Sequence, residues 1–301
     1  MIILRYLIIR NIKMFFKDKG LLLTSLITPL ILLVLYATFL GNVYEDSFRQ
    51  ILIAVAPNLT ISDSIINGCV GGQLFSSLLA VSTVTVTFSS NMLIVQDKVN
   101  NTINDITISP VKGTTLALGY YISTYITTLI VCMVATIACL IYIATIGWYL
   151  TIVDIVLILS DIFIIAMFAT ALSSIINHFL SSQGQISAVG SIVSSCYGFI
   201  CGAYMPISQF SKGLQNFIAF LPGTYGTSLL RNHSLRGVFV EMENIGIPEQ
   251  AIEGVKDSID CNIYFFEDKV PYNTMYLYLA GITVLFITTY VLMNLKKKKT
   301  N

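Results

Sequence analysis

Two aspartates are the residues of this chain whose type and position could support chemistry. Asp154 and Asp161 lie seven residues apart in a long apolar run, so a helix places both carboxylates on one face. A charged aspartate at the centre of a membrane span costs about 2.5–3.5 kcal/mol on insertion scales, and such residues are commonly functional. The two could accept cationic cargo or protons. The alternative is structural, through hydrogen bonds to hydroxyls such as Ser160 and Thr170, since no predicted span holds a lysine or arginine.

Other signatures of catalysis are absent from the sequence. It has no phosphate-binding G-x-x-x-x-G-K-S/T loop, no H-E-x-x-H, no C-x-x-C and no G-x-S-x-G. His178 and His233 are predicted at opposite faces of the membrane, and no pair among the six cysteines has metal-ligand spacing. A net charge of +1 gives no reason to expect nucleic acid or another acidic partner. We therefore expect a protein that is not an enzyme and that itself binds no metal and no cofactor.

The composition is typical of an integral membrane protein. Hydrophobic residues make up 55% of the 301 and charged residues only 11%, whereas soluble domains carry roughly 25% charged residues. Apolar runs separated by polar breaks predict an all-α fold with six transmembrane helices in a single domain, 1–301. The spans are expected at about 21–41, 65–95, 114–146, 150–176, 186–205 and 272–293.

The stretch 96–112 is a charged interruption in the apolar middle of the chain. Val99, Ile103 and Ile106 recur at helical spacing and share one face, and Pro110 ends the segment. The pattern predicts a two-turn amphipathic helix between the second and third spans. Such a helix could dock into a groove on a partner protein or rest its apolar face on lipid headgroups, and the spacing favours neither.

The distribution of charges predicts the orientation. Residues 1–19 interleave five basic residues with aliphatic and aromatic ones, which indicates an amphipathic helix lying in the membrane interface. With both termini in the cytoplasm, eleven lysines and arginines lie inside and six outside, whereas eleven acidic residues lie outside and three inside. The 96–112 stretch is then cytoplasmic, and residues 206–271 are extracellular.

The extracellular stretch begins with a second unusual pattern. Pro206 ends the fifth span, and apolar residues from Phe210 to Leu221 then recur at helical spacing before Pro222. A helix this apolar, followed by another at about 224–231, predicts a re-entrant helical hairpin in the outer leaflet, whose ends must be satisfied by protein or a wet cavity. Residues 232–271 are expected to form a small external cap.

Four motifs resemble the permease subunit of ABC transporters of the type-2 export family (ABC-2 type). They are the basic amphipathic start, the stretch from Asp97-Lys98 to Ser109-Pro110, the Gly202–Pro206 end of the fifth span, and Leu221–Tyr225 followed by Leu230-Arg231. Together they cover essentially the whole chain in order and spacing. The sequence departs from the family's coupling motif at two places. That motif usually has a glycine where Asn101 stands and a glutamate near Asn104 and Asp105.

The resemblance implies a half-transporter that pairs with a second permease copy, or a related one, and with separate ATP-binding cassette subunits. ATP-Mg would be bound in those subunits, and a drug, antimicrobial peptide or lipid-like cargo would leave along the first, second and fifth spans. The setting would be a bacterial cell membrane. The residues implied in ATPase coupling are Asp97, Lys98, Val99, Ile103, Asp105, Ile106, Ser109 and Pro110. Those implied in the re-entrant gate are Tyr204, Pro206, Pro222, Tyr225 and Arg231.

Two other classes of function remain open from the sequence. An ion-coupled secondary carrier or channel would use Asp154 and Asp161, and it would need neither ATP nor the 96–112 helix. A membrane-bound immunity or sensor protein would bind a peptide with residues 232–271 and would transport nothing.

Overall fold

Long helices dominate the computed structural model, which describes residues 2–55, 62–108 and 111–296. The helices are α1 (Ile2–Lys17), α2 (Lys19–Leu35), α3 (Gly41–Val55), α4 (Asp63–Asn91), α5 (Leu93–Val99), α6 (Thr102–Ile108), α7 (Gly113–Ile146), α8 (Ile152–Phe179), α9 (Gln183–Ile200), α10 (Lys212–Ile218), α11 (Pro222–Asn244), α12 (Glu249–Ser258) and α13 (Tyr272–Lys296). A π-helical turn (Tyr36–Leu40), a 3-10 turn (Ile207–Gln209) and a hairpin of strands β1 (Tyr264–Phe265) and β2 (Asp268–Lys269) complete the described elements. The predicted all-α class is confirmed, with one small hairpin that the sequence pattern did not predict.

Five helical stretches in this part of the chain are long and apolar enough to cross a bilayer. They are Lys19–Ala54, Asp63–Val99, Gly113–Ile146, Ile152–Phe179 and Tyr272–Leu295. These stretches correspond to the first four predicted spans and the sixth. The fifth predicted span corresponds to α9, whose 18 residues measure about 27 Å, slightly less than the ~30 Å of the hydrocarbon core. The crossing of the membrane by α9 therefore stays a prediction.

The first membrane helix is longer than the sequence predicts. Asp18 caps its start by accepting hydrogen bonds from two backbone N–H groups of the first turn. The helix continues through the π-helical turn into α3, so residues 45–55 are helical instead of forming a loop, and residues 56–61 lie outside the described part. Charges do not end the helix because Arg49 pairs with Glu45 one turn earlier, at 2.8 Å, and with Asp63 of α4 at 2.7 Å.

Pro29 lies inside α2 and leaves the backbone carbonyl of Ser25 without its usual helical donor. The hydroxyl of Thr85 on α4 lies 3.4 Å from that carbonyl, and the carbonyl of Val81 on α4 is its closer acceptor, at 2.9 Å. Thr85 therefore gives the freed carbonyl a polar neighbour where lipid would give none.

The helix α4 lies at the centre of the bundle. In its most apolar stretch 94% of the residues are buried, against 17–44% in the other four membrane helices. Small residues let its neighbours approach closely, since a Cβ on Gly72 would lie 2.5 Å from a methyl group of Leu235 on α11. Thr83 and Thr87 return their hydroxyls to backbone carbonyls one turn earlier, at 2.7 and 2.6 Å. The hydroxyls of Thr83 and Thr87 are therefore satisfied inside the protein, whereas both polar side-chain atoms of the buried Gln73 lack a hydrogen-bond partner among the described residues.

The largest difference from the sequence prediction is α11. The prediction ended this helix near residue 231 and assigned residues 232–271 to an external cap, whereas the helix continues to Asn244. Leu235, Val238 and Met242 are buried in the main core cluster, and α11 also packs on α8 and α13. Sequence inspection missed the extension because its other faces are polar and their partners lie far away in the chain. The predicted cap is correspondingly smaller, and it consists of α12 and the hairpin. We refer to residues 245–271 as the external segment, after the predicted orientation.

Candidate functional site

The 96–112 stretch contains two short helices and not one. α5 continues the central helix to Val99, and α6 begins at Thr102. Between them Asn101 has a φ of 60°, in the left-handed region that glycine favours and asparagine tolerates. The single amphipathic helix predicted through Val99, Ile103 and Ile106 is therefore wrong. The bend also gives a physical reason why a glycine suits this position and why asparagine can replace it.

Asp97 is buried where three helices meet. It is 2% exposed and accepts two hydrogen bonds from the guanidinium of Arg10 on α1, at 2.7 and 2.9 Å. The hydroxyl of Tyr120 on α7 donates to the same carboxylate. Hydrogen bonding to Asp97 raises the pKa of Arg10 above its ordinary value, so the cation is held more firmly. Asp97 thus joins α1, α5 and α7, and its part in ATPase coupling stays a prediction.

Lys98 binds α8 from the next position along the chain. Its ammonium group donates to the backbone carbonyls of Asn177, His178 and Leu180, at 2.9, 3.0 and 3.2 Å. The last carbonyls of a helix have no intrahelical donor, so a cation there satisfies them and complements the helix dipole. Asp97 and Lys98 therefore fix α5 to α1, α7 and α8. We refer to these groups as the junction (Arg10, Asp97, Lys98, Tyr120 and the end of α8).

The short helix α6 follows the junction and carries one half-buried isoleucine, Ile103, and one exposed isoleucine, Ile108. Ile103 is half-buried and packs into the cluster beneath the bend. Ile108 is 85% exposed, and Val99 and Asp105 are exposed as well. A single exposed isoleucine is ordinary at a protein surface, so contact of Ile108 with a partner protein is a prediction. Of the other predicted coupling residues, Ile106 is partly exposed, and Ser109 and Pro110 lie outside the described residues.

An open groove of about 940 Å³ begins beside the junction and runs between α2, α4 and α9. The wall formed by α9 carries serines at helical spacing, and the wall formed by α2 alternates threonines with isoleucines. The end near the junction is polar, and Tyr204 closes the other end. Its main lining residues are Asp18, Thr24, Ile27, Thr28, Ile31, Gln96, Gln183, Ser187, Ser191, Ser194, Ser195 and Tyr204. The groove therefore offers hydroxyl groups and apolar side chains together, as an amphipathic cargo would need.

Arg231 is a buried cation in the middle of α11, only 1% exposed. Its guanidinium donates to the carbonyl of Gly202 at 2.5 Å and pairs with Asp260, beyond α12, at 3.2 Å. Asp260 also accepts from the backbone N–H of Ile207, at 2.9 and 3.0 Å. Burial raises the pKa of Asp260 to about 6, against the opposing effect of Arg231. Arg231 thus ties the end of α9 and the external segment to α11.

The other predicted gate residues surround this connection. Pro206 precedes the 3-10 turn, and Pro222 occupies the first turn of α11, where its missing N–H is not needed. Tyr225 is buried and donates its hydroxyl to the carbonyl of Ala219 at 2.6 Å, across the turn from α10. α10 and the start of α11 are the two limbs of the predicted re-entrant hairpin. Their depth in the bilayer stays a prediction.

Asp154 and Asp161 both have partners on α11, a helix that lies outside the predicted spans: the cation Arg236 pairs with Asp154, and the imidazole of His233 bonds Asp161. Asp154 completes a capping box with Thr151 at the start of α8 and forms an ion pair with Arg236. Asp161 bonds His233 at 2.6 Å and accepts from the hydroxyl of Tyr276, on α13, at 2.5 Å. Neither contacts the hydroxyls of Ser160 and Thr170 that the sequence offered. The two aspartates therefore join α8 to α11 and α13.

Acidification below pH 4.5 should loosen the external segment. The carboxylate of Glu253 on α12 accepts hydrogen bonds from Lys269, Lys256 and Asn262, at 2.7, 2.9 and 3.0 Å. Burial acts to raise the pKa of Glu253, but these bonds outweigh it and lower the pKa from 4.5 to about 2. A pKa lowered on folding stabilises the fold above the unfolded value, and that contribution is lost as the pH falls from 4.5 towards 2.

We therefore expect the unfolding temperature of the wild type to fall more steeply below pH 4.5 than that of the Glu253→Gln variant. The exposed Glu249→Gln on the same helix is the matched control and should follow the wild type. Parallel curves for wild type and Glu253→Gln would contradict the prediction.

Sequence reasoning missed the partners of the charged residues. Arg10, Tyr120, His233, Arg236 and Asp260 lie between 23 and 87 positions from the residues that they bind. No local spacing reveals such pairs. One usable signal was that the negative charge of a buried aspartate must be balanced by a cation or a hydrogen-bond donor. Residues 231–236 offer such groups about one helical turn from apolar positions. Among the described residues, no group of three or more histidines, cysteines or acids could hold a metal ion.

Comparison with known proteins gives one match. A family model described as "ABC-2 type transporter" matches residues 3–233. The matched region includes the junction, the groove, the predicted re-entrant hairpin and Arg231, and it ends within α11. No curated protein and no solved structure matches the chain significantly.

Proposed function

The chain belongs to the ABC-2 type transporter family, and from this membership we propose that it is the membrane subunit of an ATP-driven exporter. Proteins of the family normally work with an ATP-binding subunit. On this proposal the partner subunit binds ATP-Mg and hydrolyses it, whereas this chain performs no covalent chemistry. The chain is a multi-pass membrane protein. The proposal puts it in the bacterial cell membrane with both termini in the cytoplasm.

The observation that carries the coupling proposal is the junction. α6 is attached through the bend at Asn101 to α5, which is the end of the buried central helix. Asp97 connects that point to α1 and α7, and Lys98 connects it to α8. A displacement of α6 by a nucleotide-driven partner would therefore reach four helices at once, because ion pairs and hydrogen bonds of this kind resist separation inside a protein.

The groove supports the proposal about cargo. It begins at the junction and is bounded by helices α2, α4 and α9, which correspond to the first, second and fifth predicted spans. Its serine and threonine hydroxyls face an open side, where lipid would give them no hydrogen-bonding partner beyond their own helix. We propose that a second permease copy faces this side, and that an amphipathic drug, peptide or lipid-like molecule passes between the two copies. We also propose that α9 crosses the membrane as the fifth of six spans.

The ion-coupled carrier is less well supported. It would use the carboxylates of Asp154 and Asp161 to bind a cation or a proton. Both carboxylates are engaged by Arg236, His233 and Tyr276, and neither lines the groove. A carrier of this kind would have to break an existing pair in each cycle. No described contact favours the peptide-binding immunity or sensor protein.

Replacing Ile108 with glutamate should uncouple the transporter without unfolding it. Ile108 is 85% exposed at the end of α6, so a charge there costs little in the isolated chain but would be buried against an ATP-binding subunit. We expect loss of co-purification with the cognate ATP-binding subunit and loss of ATP-dependent export from vesicles. The unfolding temperature of the permease should stay at the wild-type value.

The matched control is Ile245→Glu, an exposed isoleucine at the end of α11 on the other side of the membrane. It should leave both co-purification and export unchanged. Wild-type coupling in the Ile108→Glu protein would refute the contact at α6. ATP-independent activity of the purified wild-type permease alone would refute the whole proposal.

A further inference from the structure

Phenylalanine rings form an exposed group where the external segment meets α13. Phe220 lies in the turn between α10 and α11, and its ring contacts those of Phe265 and Phe266 at centroid distances of 4.9 and 6.4 Å. Phe217 projects from the end of α10. The four rings are between 36 and 59% exposed, which is unusual for adjacent phenylalanines in water. We refer to them as the aromatic cluster (Phe217, Phe220, Phe265 and Phe266).

The hairpin that carries half of this cluster has two different faces. Tyr264 and Lys269 are paired across the strands and bind α12 through Asp257 at 3.0 Å and Glu253 at 2.7 Å. Because side chains alternate along a strand, Phe265 points to the opposite side, towards the aromatic cluster. The hairpin is thus held to α12 by polar contacts, while its other face exposes the ring of Phe265 with the carboxylate of its cross-strand partner Asp268 beside it.

The depth of the cluster follows from its contacts with α13. The hydroxyl of Tyr278 donates to the carbonyl of Phe220 at 2.8 Å, and its ring contacts that of Tyr225 at 5.2 Å. Tyr278 lies six residues after Tyr272, the start of this membrane helix, which corresponds to about 9 Å along the axis. Because helical side chains lean towards the N-terminus of their helix, the hydroxyl of Tyr278 and the carbonyl of Phe220 lie beside the first two turns of α13. The neighbouring Leu277 is 74% exposed, as a lipid-facing residue would be.

The backbone of the hairpin turn is strained at Phe266, the aromatic residue at its tip. Phe266 has a φ of 59°, a left-handed conformation that is rare for a bulky residue. Two-residue hairpin turns usually put glycine or asparagine at such a position. Holding a residue there costs about 1–3 kcal/mol, and strain of this kind concentrates at functional sites. The ring of Phe266 nevertheless remains 59% exposed, so packing within the chain does not account for it.

We propose that the aromatic cluster inserts into the lipid leaflet on the side of the membrane that carries α12, and that it anchors the external segment there. The occupant of this apolar face is lipid because the face is continuous with the lipid-facing side of α13. Aromatic rings beneath a polar layer have the pattern of an interfacial anchor, in which the rings enter the boundary between headgroups and acyl chains. The anchor requires only that α13 spans the membrane, so it does not depend on the cargo or on an ATP-binding subunit.

Tryptophan fluorescence tests the anchor, since Trp148 is the single tryptophan of the chain. In a Trp148→Phe background, Phe266→Trp and Phe217→Trp each place one reporter in the cluster. Glu249→Trp, on the exposed side of α12, is the matched control. The full chain is reconstituted in phosphatidylcholine–phosphatidylglycerol vesicles with and without lipids brominated on the upper acyl chain. We expect brominated lipid to remove most of the emission of both cluster reporters and none of that of the control.

The same samples are then titrated with acrylamide, a quencher confined to water. Strong acrylamide quenching of the cluster reporters without quenching by brominated lipid would overturn the proposal, because the rings would face water. Protection from both quenchers would also overturn it, because a second protein surface would then cover them. Two reporter positions keep the test decisive if one variant fails to elute as a folded species in gel filtration.

Discussion

Replacing Arg10 with methionine should destabilise the protein by about 3–5 kcal/mol, the usual cost of leaving one member of a buried ion pair alone. The side chain of Asp97 is 3% exposed, so it cannot turn to water when its partner is removed. The side chain of Arg10 is 28% exposed and can. Asp97→Asn should therefore cost less than Arg10→Met, although it removes the same pair. Both variants should lose ATP-dependent export, because α1 and α7 would no longer be fixed to α5.

Denaturant unfolding in detergent micelles, run beside vesicle export assays, measures both effects. Arg5→Met is the matched control, since Arg5 is an exposed arginine on the same helix, and it should unfold like the wild type. The double variant Arg10→Met, Asp97→Asn should recover part of the stability that Arg10→Met loses, because no uncompensated charge is left. Equal costs for the two single variants, or strictly additive costs in the double variant, would show that the pair is not the source of stability.

Replacing Arg231 with methionine should have a comparable effect on the other side of the membrane. Its side chain is 1% exposed and that of Asp260 is 5% exposed, so the carboxylate would be left buried without its cation. We expect a loss of about 3–5 kcal/mol. Arg231→Lys should restore only part of this, because an ammonium lacks the planar fork that reaches Asp260 and the carbonyl of Gly202 together.

Release of the external segment distinguishes this effect from general instability. In Arg231→Met, a protease added outside sealed vesicles should cut residues 245–271 at temperatures where the bundle remains folded. The surface pair of Arg49 supplies the control, and Arg49→Met should neither unfold earlier nor expose this segment. Uniform loss of all structure in Arg231→Met, with no earlier cleavage, would contradict the proposed tie.

The sequence was most informative where the relevant signal is local. Apolar length predicts the membrane helices because the bilayer imposes a minimum span. The left-handed backbone at Asn101 is a local feature too, but the prediction of one helix through this position overlooked it. The hydrogen bonds by which Asp18 and Asp154 cap their helices span three residues or fewer, although these capping roles were not predicted, and the ion pair of Asp154 with Arg236 crosses 82 positions.

The rest of the site could not be predicted, because it consists of pairs between distant parts of the chain. Asp97 has the same charge as Asp105, yet one is buried by Arg10 and the other is exposed. Only the packing of α1 on α7 decides between them. The same holds for α11, whose polar residues resemble those of an external loop until α8 supplies His233 and Arg236 with the buried carboxylates of Asp161 and Asp154. The phenol of Tyr276 on α13 donates to the carboxylate of Asp161 as well.

The burial of α4 has a consequence for biogenesis. Nine of its 29 residues are serine or threonine, and its surface is covered by α2, α7, α8 and α11 in the finished protein. Of these four helices only α2 precedes α4 in the chain, so most of that surface must first face the insertion machinery or lipid during synthesis. α4, on which the other helices pack, would therefore be stabilised by delaying its release into lipid until those helices are made. Retention of α4 beside the translocon until α8 and α11 emerge would follow directly from its composition.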